Sequence, residues 1–188
     1  RSTLFPYTTL FRSSTDLPGL DGPRRVRLAV AGAHNVANAL AAAGLALAAG
    51  LDPELIAERL SSVSIESPHR MDVSELSGDL LLIDDSYNAN IDSMTAALAA
   101  LPALAGSRRR VVVVSEMLEL GESSAADHAR TGELVAQAGA AMLIGIGSTQ
   151  EALDAARARG VEVVGFDDAA TAISQIDALL SDGDAVQY

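Results

Sequence analysis

The sequence predicts an α/β fold, a mostly parallel sheet with helices on both faces, preceded by the tail of another domain. Two observations carry this. Short apolar runs alternate with helical patterns from Leu80 onward, and Val111 to Val114, Met142 to Ile146 and Val161 to Phe166 are nearly continuous in apolar residues, as strands buried on both faces are. Polar clusters rich in Asp, Asn and Gly also follow these runs directly, at the sheet edge where open α/β folds place their ligands.

The first thirteen residues stand apart, because they hold two of the three Phe and one of the three Tyr, whereas the rest is rich in Ala, Val, Asp and Gly. Thr3 to Ser13 resembles a translated frame of a short-read sequencing adapter, so residues 1–13 are set aside from fold reasoning as a tag would be. From Arg25 the pattern becomes regular. Val26 to Val30 reads as a short strand, Gly32 breaks it, and Asn35 to Ala49 is an Ala/Leu-rich helix ending at Gly50. Asp52 then supplies an N-cap, and Pro53 takes the first position of a helix that runs to Leu60. One strand with two helices cannot complete a core. Residues 14–66 are therefore expected to be the C-terminal remnant of a larger domain.

Ser61 to His69, with Pro68, is a polar connection, and residues 67–188 form the second domain. Its order is a strand from Met71 to Leu76, a turn at Gly78 and a strand from Leu80 to Ile83. Helices follow over Ile91 to Leu104, Ser124 to Gly139, Thr149 to Arg159 and Asp168 to Leu180, with the three apolar strands between them. This alternation implies a parallel sheet covered by helices on both faces. Asp184-Ala185-Val186 opens a further strand, and the chain stops at Tyr188 within it, so both ends are expected to be cut.

Composition narrows the function. A hydrophobic content of 49% with 20% charged residues describes a core-forming chain rather than a disordered one. The net charge of -12 argues against a nucleic-acid surface, and Arg108-Arg109-Arg110, directly before Val111, reads as the solvated start of a strand. All 13 basic residues are Arg; without Lys the chain holds no Walker-type phosphate loop and no Schiff-base lysine. The lack of Cys removes thiolate nucleophiles, thiolate metal sites and disulfides, and His34, His69 and His128 have no metal-ligand spacing, so no metal site is expected here. No apolar run is long enough to cross a bilayer and no signal peptide is recognisable; no membrane insertion and a cytoplasmic location are expected.

Three polar constellations carry the candidate chemistry. In Gly32-Ala33-His34-Asn35-Val36-Ala37-Asn38 the spacing puts His34 with Asn38, and Asn35 with Asn38, on one helix face. Amides both donate and accept, which suits a purine edge or a phosphate near a helix N-terminus, although an N-cap plus one satisfied Asn reads equally well. In His69-Arg70-Met71 the planar fork of Arg70 can pair with a phosphate across a cleft, a surface salt bridge being the commoner fate of such a residue. In Asp84-Asp85-Ser86-Tyr87-Asn88-Ala89-Asn90 one of the adjacent acids can cap the next helix while the other faces the crevice and accepts from a ribose. Glu116-Met117-Leu118-Glu119-Leu120-Gly121 lies at the same edge, its two acids suited to an amine or to solvent. Gly145-Ile146-Gly147-Ser148-Thr149-Gln150 reads as a tight strand-to-helix turn rather than a dinucleotide fingerprint, since it lacks the third Gly.

Gly32 to Asn38, Arg70-Met71, Asp84 to Asn90 with Ser93-Met94, and Glu116 to Gly121 with His128, in this order, resemble the Mur ligases of peptidoglycan synthesis over a span from Val26 to Val186. The Tyr87-Asn88-Ala89-Asn90 and Met117-Leu118-Glu119-Leu120-Gly121 forms look most like the branch that adds D-alanyl-D-alanine to a UDP-N-acetylmuramoyl-tripeptide. The resemblance implies a three-domain, monomeric enzyme that uses ATP and Mg2+ to make an acyl phosphate, which the incoming amine attacks. This chain would hold the end of the central ATPase domain and most of a Rossmann-like C-terminal domain, with the magnesium ligands mostly upstream. Carried over, His34, Asn35, Asn38, Arg70 and Asp85 would bind nucleotide, Arg70 as the catalytic candidate at the phosphates and Asp85 on the ribose. Tyr87, Asn88, Asn90, Glu116 and Glu119 would face the substrate. Ile91 replaces a usual proline, Ser115 a usual glycine, and Glu116 stands where Asp is common. The chain alone is expected to lack ligase activity. Another Mur-type or folylpolyglutamate-type ligase, or a non-catalytic nucleotide-binding module, remains an alternative; the strand and helix pair before Ser61 argues against the module.

Overall fold

Apolar runs become strands because extended backbone presents successive side chains to opposite faces, and a run apolar on both faces can be covered on both. In the computed structural model the described residues are 12–15, 24–28, 33–62 and 69–188. They fall into two units, residues 1–68 and residues 69–188.

In the first unit β1 (Arg12–Thr15) pairs antiparallel with β2 (Arg24–Arg27), and α1 (Ala33–Ala48) and α2 (Pro53–Ser62) follow. The strand expected at Val26 to Val30 is shifted toward Arg24, and Ala29 and Val30 lie outside the described residues. Its partner includes Arg12 and Ser13, which composition sets apart from the fold. Ladder hydrogen bonds join main-chain groups, so strand pairing can form between polar segments with no apolar signal. Asp52 caps α2 as expected, its Oδ1 accepting from the backbone of Glu54 at 2.9 Å and Leu55 at 3.2 Å. At the end of α1, Gly50 takes φ of 83° and closes a Schellman pair, Gly50 N–H to Leu47 O and Leu51 N–H to Ala46 O.

The second unit is one mixed sheet. Its strands are β3 (Asp72–Glu75), β4 (Leu81–Asp84), β5 (Arg110–Ser115), β6 (Met142–Ile146), β7 (Glu162–Phe166) and β8 (Ala185–Gln187), in the order β3-β4-β8-β5-β6-β7. Only the β3–β4 pair is antiparallel, turned by Ser77–Asp79 with Gly78 at φ of 75°. The helices are α3 (Ile91–Ala105), α4 (Ser124–Gln137), α5 (Gln150–Arg157) and α6 (Ala169–Gln175).

Register assigns the faces. Val112 lies opposite both Leu143 and Gln187, so these share one face. Leu98 of α3, Thr131 of α4 and Ala152 of α5 surround a cavity on that face with Val112 and Val114. Val111, Met142, Ile144 and Val186 point the other way, against Ile176, Leu179 and Leu180 after α6. The helix expected from Asp168 to Leu180 gives way at Ile176 to a 3-10 turn where these side chains pack.

Strand β8 enters between β4 and β5 and is clamped there. Leu81 N–H donates to Asp184 O, Ala185 N–H donates to Arg109 O, and Arg109 grips the Asp184 carboxylate through Nε at 2.9 Å and Nη2 at 2.8 Å. The basic run before β5 is therefore built into the fold rather than left in solvent. Arg108 pairs with Asp79 at 2.8 Å, and Arg110 donates to the Ala138 carbonyl at 3.0 Å.

Candidate functional site

The site grows from the end of β4. Leu81 and Ile83 are wholly buried, and Asp84 follows them at 9% exposure, so a carboxylate is carried to the rim of the core. Its Oδ1 accepts from the Ser86 backbone at 3.1 Å and the Ser86 hydroxyl at 2.8 Å, a side-chain turn that reverses the chain after the strand. Its Oδ2 accepts from the Tyr188 hydroxyl at 2.7 Å and meets His69 Nδ1 at 2.5 Å. Burial pushes the Asp84 carboxyl up, but the bonds from His69, Tyr188 and Ser86 outweigh it and hold the group at about 2. The same bond to Asp84, with burial, raises the Tyr188 phenol to about 12.

Asp85 has a different partner. Its Oδ1 accepts from the Met71 backbone at 3.0 Å, while Tyr87 N–H donates to His69 O at 3.0 Å. These bonds lace the His69–Arg70–Met71 turn onto the Asp84–Tyr87 loop. The lacing has a conformational cost to offset: His69 and Met71 take φ of 65° and 50°, a left-handed region unfavourable to side chains other than Gly. Arg70 is thereby set with its guanidinium over the Tyr87 ring, 4.1 Å from the centroid, and both side chains are exposed.

Neither Asp84 nor Asp85 caps α3. The helix starts too far along the loop, at Ile91, and Asn90 takes the cap, its Oδ1 accepting from Ser93 N–H at 2.9 Å while Ser93 Oγ receives Asn90 N–H at 3.0 Å. Asn90 is thus engaged by its own helix. Asn88 lies exposed in the loop before it.

The loop after β5 is pinned by a buried histidine. His128, 3% exposed, accepts from Met117 N–H at Nε2 (3.0 Å), which leaves Nδ1 to donate to Ser124 O at 2.8 Å. Glu116 and Glu119 are exposed on this loop, Glu119 at φ of 64°, and the Glu116 carboxylate reaches over Gly147. The Gly145–Gln150 segment is the tight turn its glycines suggest: Gly147 takes φ of 74° and donates to Phe166 O at 2.8 Å.

Between the two loops lies a cavity of about 220 Å³ lined by Asp85, Ser86, Ala89, Met117, His128 and Gln187, among others. Val112, Val114 and Leu98 make its wall apolar. Gln187 is 3% exposed, and its Oε1 has no hydrogen-bond partner. The structure thus brings Arg70, Asp85, Tyr87, Asn88 and Glu116 to one edge of the sheet. His34, Asn35 and Asn38 belong to α1 in the first unit, where Asn38 Nδ2 donates to Asn35 Oδ1 at 3.5 Å, as their shared face predicts.

Sequence reasoning missed Asp84 as the hub, Tyr188 and His69 as its partners, and Gln187 in the cavity. A pattern offered itself for Asp84 alone: an acid at the end of an apolar strand followed by Ser. Among the described residues no group of three or more acidic, His or Cys side chains is gathered for a metal ion, and no helix is long and apolar enough to cross a membrane.

A family profile described as Mur ligase, glutamate ligase domain, matches residues 69–187. The UDP-N-acetylmuramoyl-tripeptide--D-alanyl-D-alanine ligase of Mycobacterium tuberculosis is 41% identical over 143 residues, covering 74% of this chain and 28% of that protein. The Escherichia coli protein of the same name is 37% identical over 157 residues, covering 84% and 33%. The chain therefore spans about a third of the length of these curated relatives. Among solved structures, MurF from Acinetobacter baumannii superposes with a TM-score of 0.75 at 31% identity, over 88% of this chain and 36% of that one. MurF ligase from Thermotoga maritima, solved in complex with ADP, shares the fold with a TM-score of 0.67 at 24% identity, over 89% and 37%.

Proposed function

The chain belongs to the Mur ligase family, and on that basis we propose that it is part of the ATP-dependent ligase that joins D-alanyl-D-alanine to a UDP-N-acetylmuramoyl-tripeptide. Residues 14–66 would be the end of the central ATPase domain, and residues 67–188 the C-terminal domain. The observation that carries the reading is Arg70, a cation free of ion pairs among the described residues, at the sheet edge of a chain with a net charge of -12. Curated relatives at 36–41% identity bear the name of the D-alanyl-D-alanine-adding enzyme, which supports this branch over a folylpolyglutamate-type ligase.

The donor set at this edge fits a nucleotide in part. Arg70 would offer its N–H fork to phosphate oxygens, and Asp85 would accept from ribose hydroxyls through the carboxylate that also holds Met71. His34, Asn35 and Asn38, on α1, are the other residues that the family resemblance assigns to the nucleotide. When bound, ATP supplies the phosphoryl group that activates the peptide carboxylate. The residues here bind and orient rather than act as nucleophiles, which agrees with a chain that has neither Cys nor Lys. For the amine, the apolar cavity wall beside Ala89 suits small methyl groups, and Tyr87, Asn88, Glu116 and Glu119, exposed on the loops after β4 and β5, would face the substrate, the acids attracting its ammonium. Asn90 would act through the α3 cap that shapes this loop. Mg2+ would be held mostly by residues upstream of this chain. A cytoplasmic location and a monomeric full-length enzyme belong to the same proposal.

The test is a nitrogen-15 spectrum of the 188-residue chain titrated separately with ATP and with D-alanyl-D-alanine. ATP is expected to shift Arg70 and Asp85, and the dipeptide to shift Ala89 and Met117, with no ligation when UDP-N-acetylmuramoyl-tripeptide is added. Unchanged spectra at millimolar ligand would overturn the binding roles. Robust ligation by this chain alone would overturn its reading as a partial enzyme.

A further inference from the structure

Arg70 is unlike the other arginines of the second unit. Between His69 and Tyr188 there are seven, and six of them engage oxygen. Arg108 meets Asp79 at 2.8 Å, Arg109 meets Asp184 at 2.8 Å, and Arg130 and Arg159 meet Glu133 at 2.8 and 2.7 Å. Arg157 meets Asp154 at 2.5 Å, and Arg110 donates to the Ala138 carbonyl at 3.0 Å. In a chain with almost twice as many acids as bases, an arginine normally finds a carboxylate. Arg70 instead has an aromatic ring, with its guanidinium carbon 4.1 Å from the centre of Tyr87.

That contact has a directional consequence. A guanidinium presents its faces to a π-system, whereas its five N–H donors lie in its plane. A ring on one face therefore leaves the donor edge open, where a salt bridge would have occupied it. The backbone on both sides is also fixed. Met71 N–H is held by Asp85, His69 Nδ1 meets Asp84, and the Tyr87 N–H itself donates to His69 O at 3.0 Å, so ring and guanidinium hang from the same laced turn.

We propose that Tyr87 is a positioning residue, holding the Arg70 guanidinium by face contact as a pre-oriented fork for a phosphate group. The proposal rests on the reading of Arg70 as a phosphate contact and gives Tyr87 a task other than the substrate contact its motif implies. The gain is in ordering. A long exposed side chain that already occupies its bound orientation gives up less freedom when the anion arrives. An aspartate in place of the ring would hold Arg70 as firmly but would compete for the same donors.

The test uses the 188-residue chain and inorganic pyrophosphate as probe. The Nε–H signal of Arg70 should sit upfield under the ring current of Tyr87, and pyrophosphate should shift it. Tyr87→Phe should keep both the ring shift and the affinity. Tyr87→Leu should lose the ring shift and bind pyrophosphate roughly two- to fivefold more weakly, the size expected for an exposed contact of this kind. Its melting temperature should be unchanged, which separates positioning from folding. Unaltered pyrophosphate affinity in Tyr87→Leu with the ring shift gone would overturn the proposal. So would Tyr87→Phe binding as weakly as Tyr87→Leu, because the hydroxyl would then be the contact. Arg70→Ala distinguishes the two levels: if it binds pyrophosphate as the unaltered chain does, the phosphate reading itself fails. If only Arg70→Ala weakens binding, that reading stands and Tyr87 has no part in it.

Discussion

Asp84 gathers His69, Ser86 and Tyr188 around one carboxylate, and its value of about 2 against an ordinary 3.8 is a statement about stability. A carboxyl held low in the folded state contributes fully above its unfolded value, so this contribution should be complete above about pH 4 and lost as pH falls through about 2. Tyr188 works in the opposite sense. Its phenol is raised from 10.0 to about 12, so its contribution is complete below pH 10 and lost as pH rises through about 12. Both flanks report one shared hydrogen bond and do not add. Tyr188→Phe is expected to cost about 1.5 kcal/mol near neutral pH, as loss of a bond to a charged acceptor does. It should also remove the alkaline flank and shorten the acid one. Melting curves across the pH range check this; an alkaline flank that persists in Tyr188→Phe would show another group to be responsible.

Two elements meet at a glycine. Gly132 lies on α4 where α5 crosses, and a Cβ there would fall well inside van der Waals contact with the Ala152 carbonyl. Backbone cannot retreat as a flexible side chain can, so Gly132→Ala should separate the helices and cost about 1–3 kcal/mol despite the better helix propensity of Ala. Urea denaturation reads it; a neutral or stabilising effect would mean that the helices slide apart freely. The neighbouring loop is held by His128, whose Nε2 accepts from Met117. This bond ties the loop that carries the exposed acids Glu116 and Glu119 to α4.

Across the whole second unit, order in the sheet departs from order in the chain. The last strand, β8, stands between β4 and β5, so the sheet is continuous only after the chain has returned to its centre. The Arg109–Asp184 grip locks this insertion, with Asp184 almost wholly buried and Ser181 N–H on the same carboxylate at 2.8 Å. Burial pushes the Asp184 carboxyl up, and Arg109 and Ser181 hold it below its ordinary range. Removing the cation leaves a buried charge without its partner. Arg109→Leu is therefore expected to cost about 3 kcal/mol, with an unchanged urea m-value if the unit unfolds as one. A loss confined to β8, seen as fast amide exchange at Val186 alone, would contradict the lock.

Local chemistry was legible wherever one segment decides its own conformation. Met142–Ile146 is a strand at the bounds of its apolar run, Asp52 caps α2, and Gly147 turns the chain, because side-chain period, caps and positive φ each depend on a few adjacent residues. The polar loop after β4, the candidate site, was legible for the same reason. Which of its members does what was not. Asp84 and Asp85 are alike in sequence, and only the arrival of His69 from fifteen residues away and Tyr188 from the far end of the chain makes one a hub and the other a clasp for Met71. Likewise Arg108, Arg109 and Arg110 read as one solvated run, yet each meets a different distant oxygen, Asp184 lying 75 residues from Arg109. The α/β alternation, the turns and the polar strand-end loops that make up the candidate site were written into the order of residues, since these follow from local hydrophobic period and backbone preference. The insertion of β8, the division of labour between the two acids and the aromatic seat of Arg70 came from the folded arrangement, because each depends on partners that folding alone brings within hydrogen-bond or van der Waals reach.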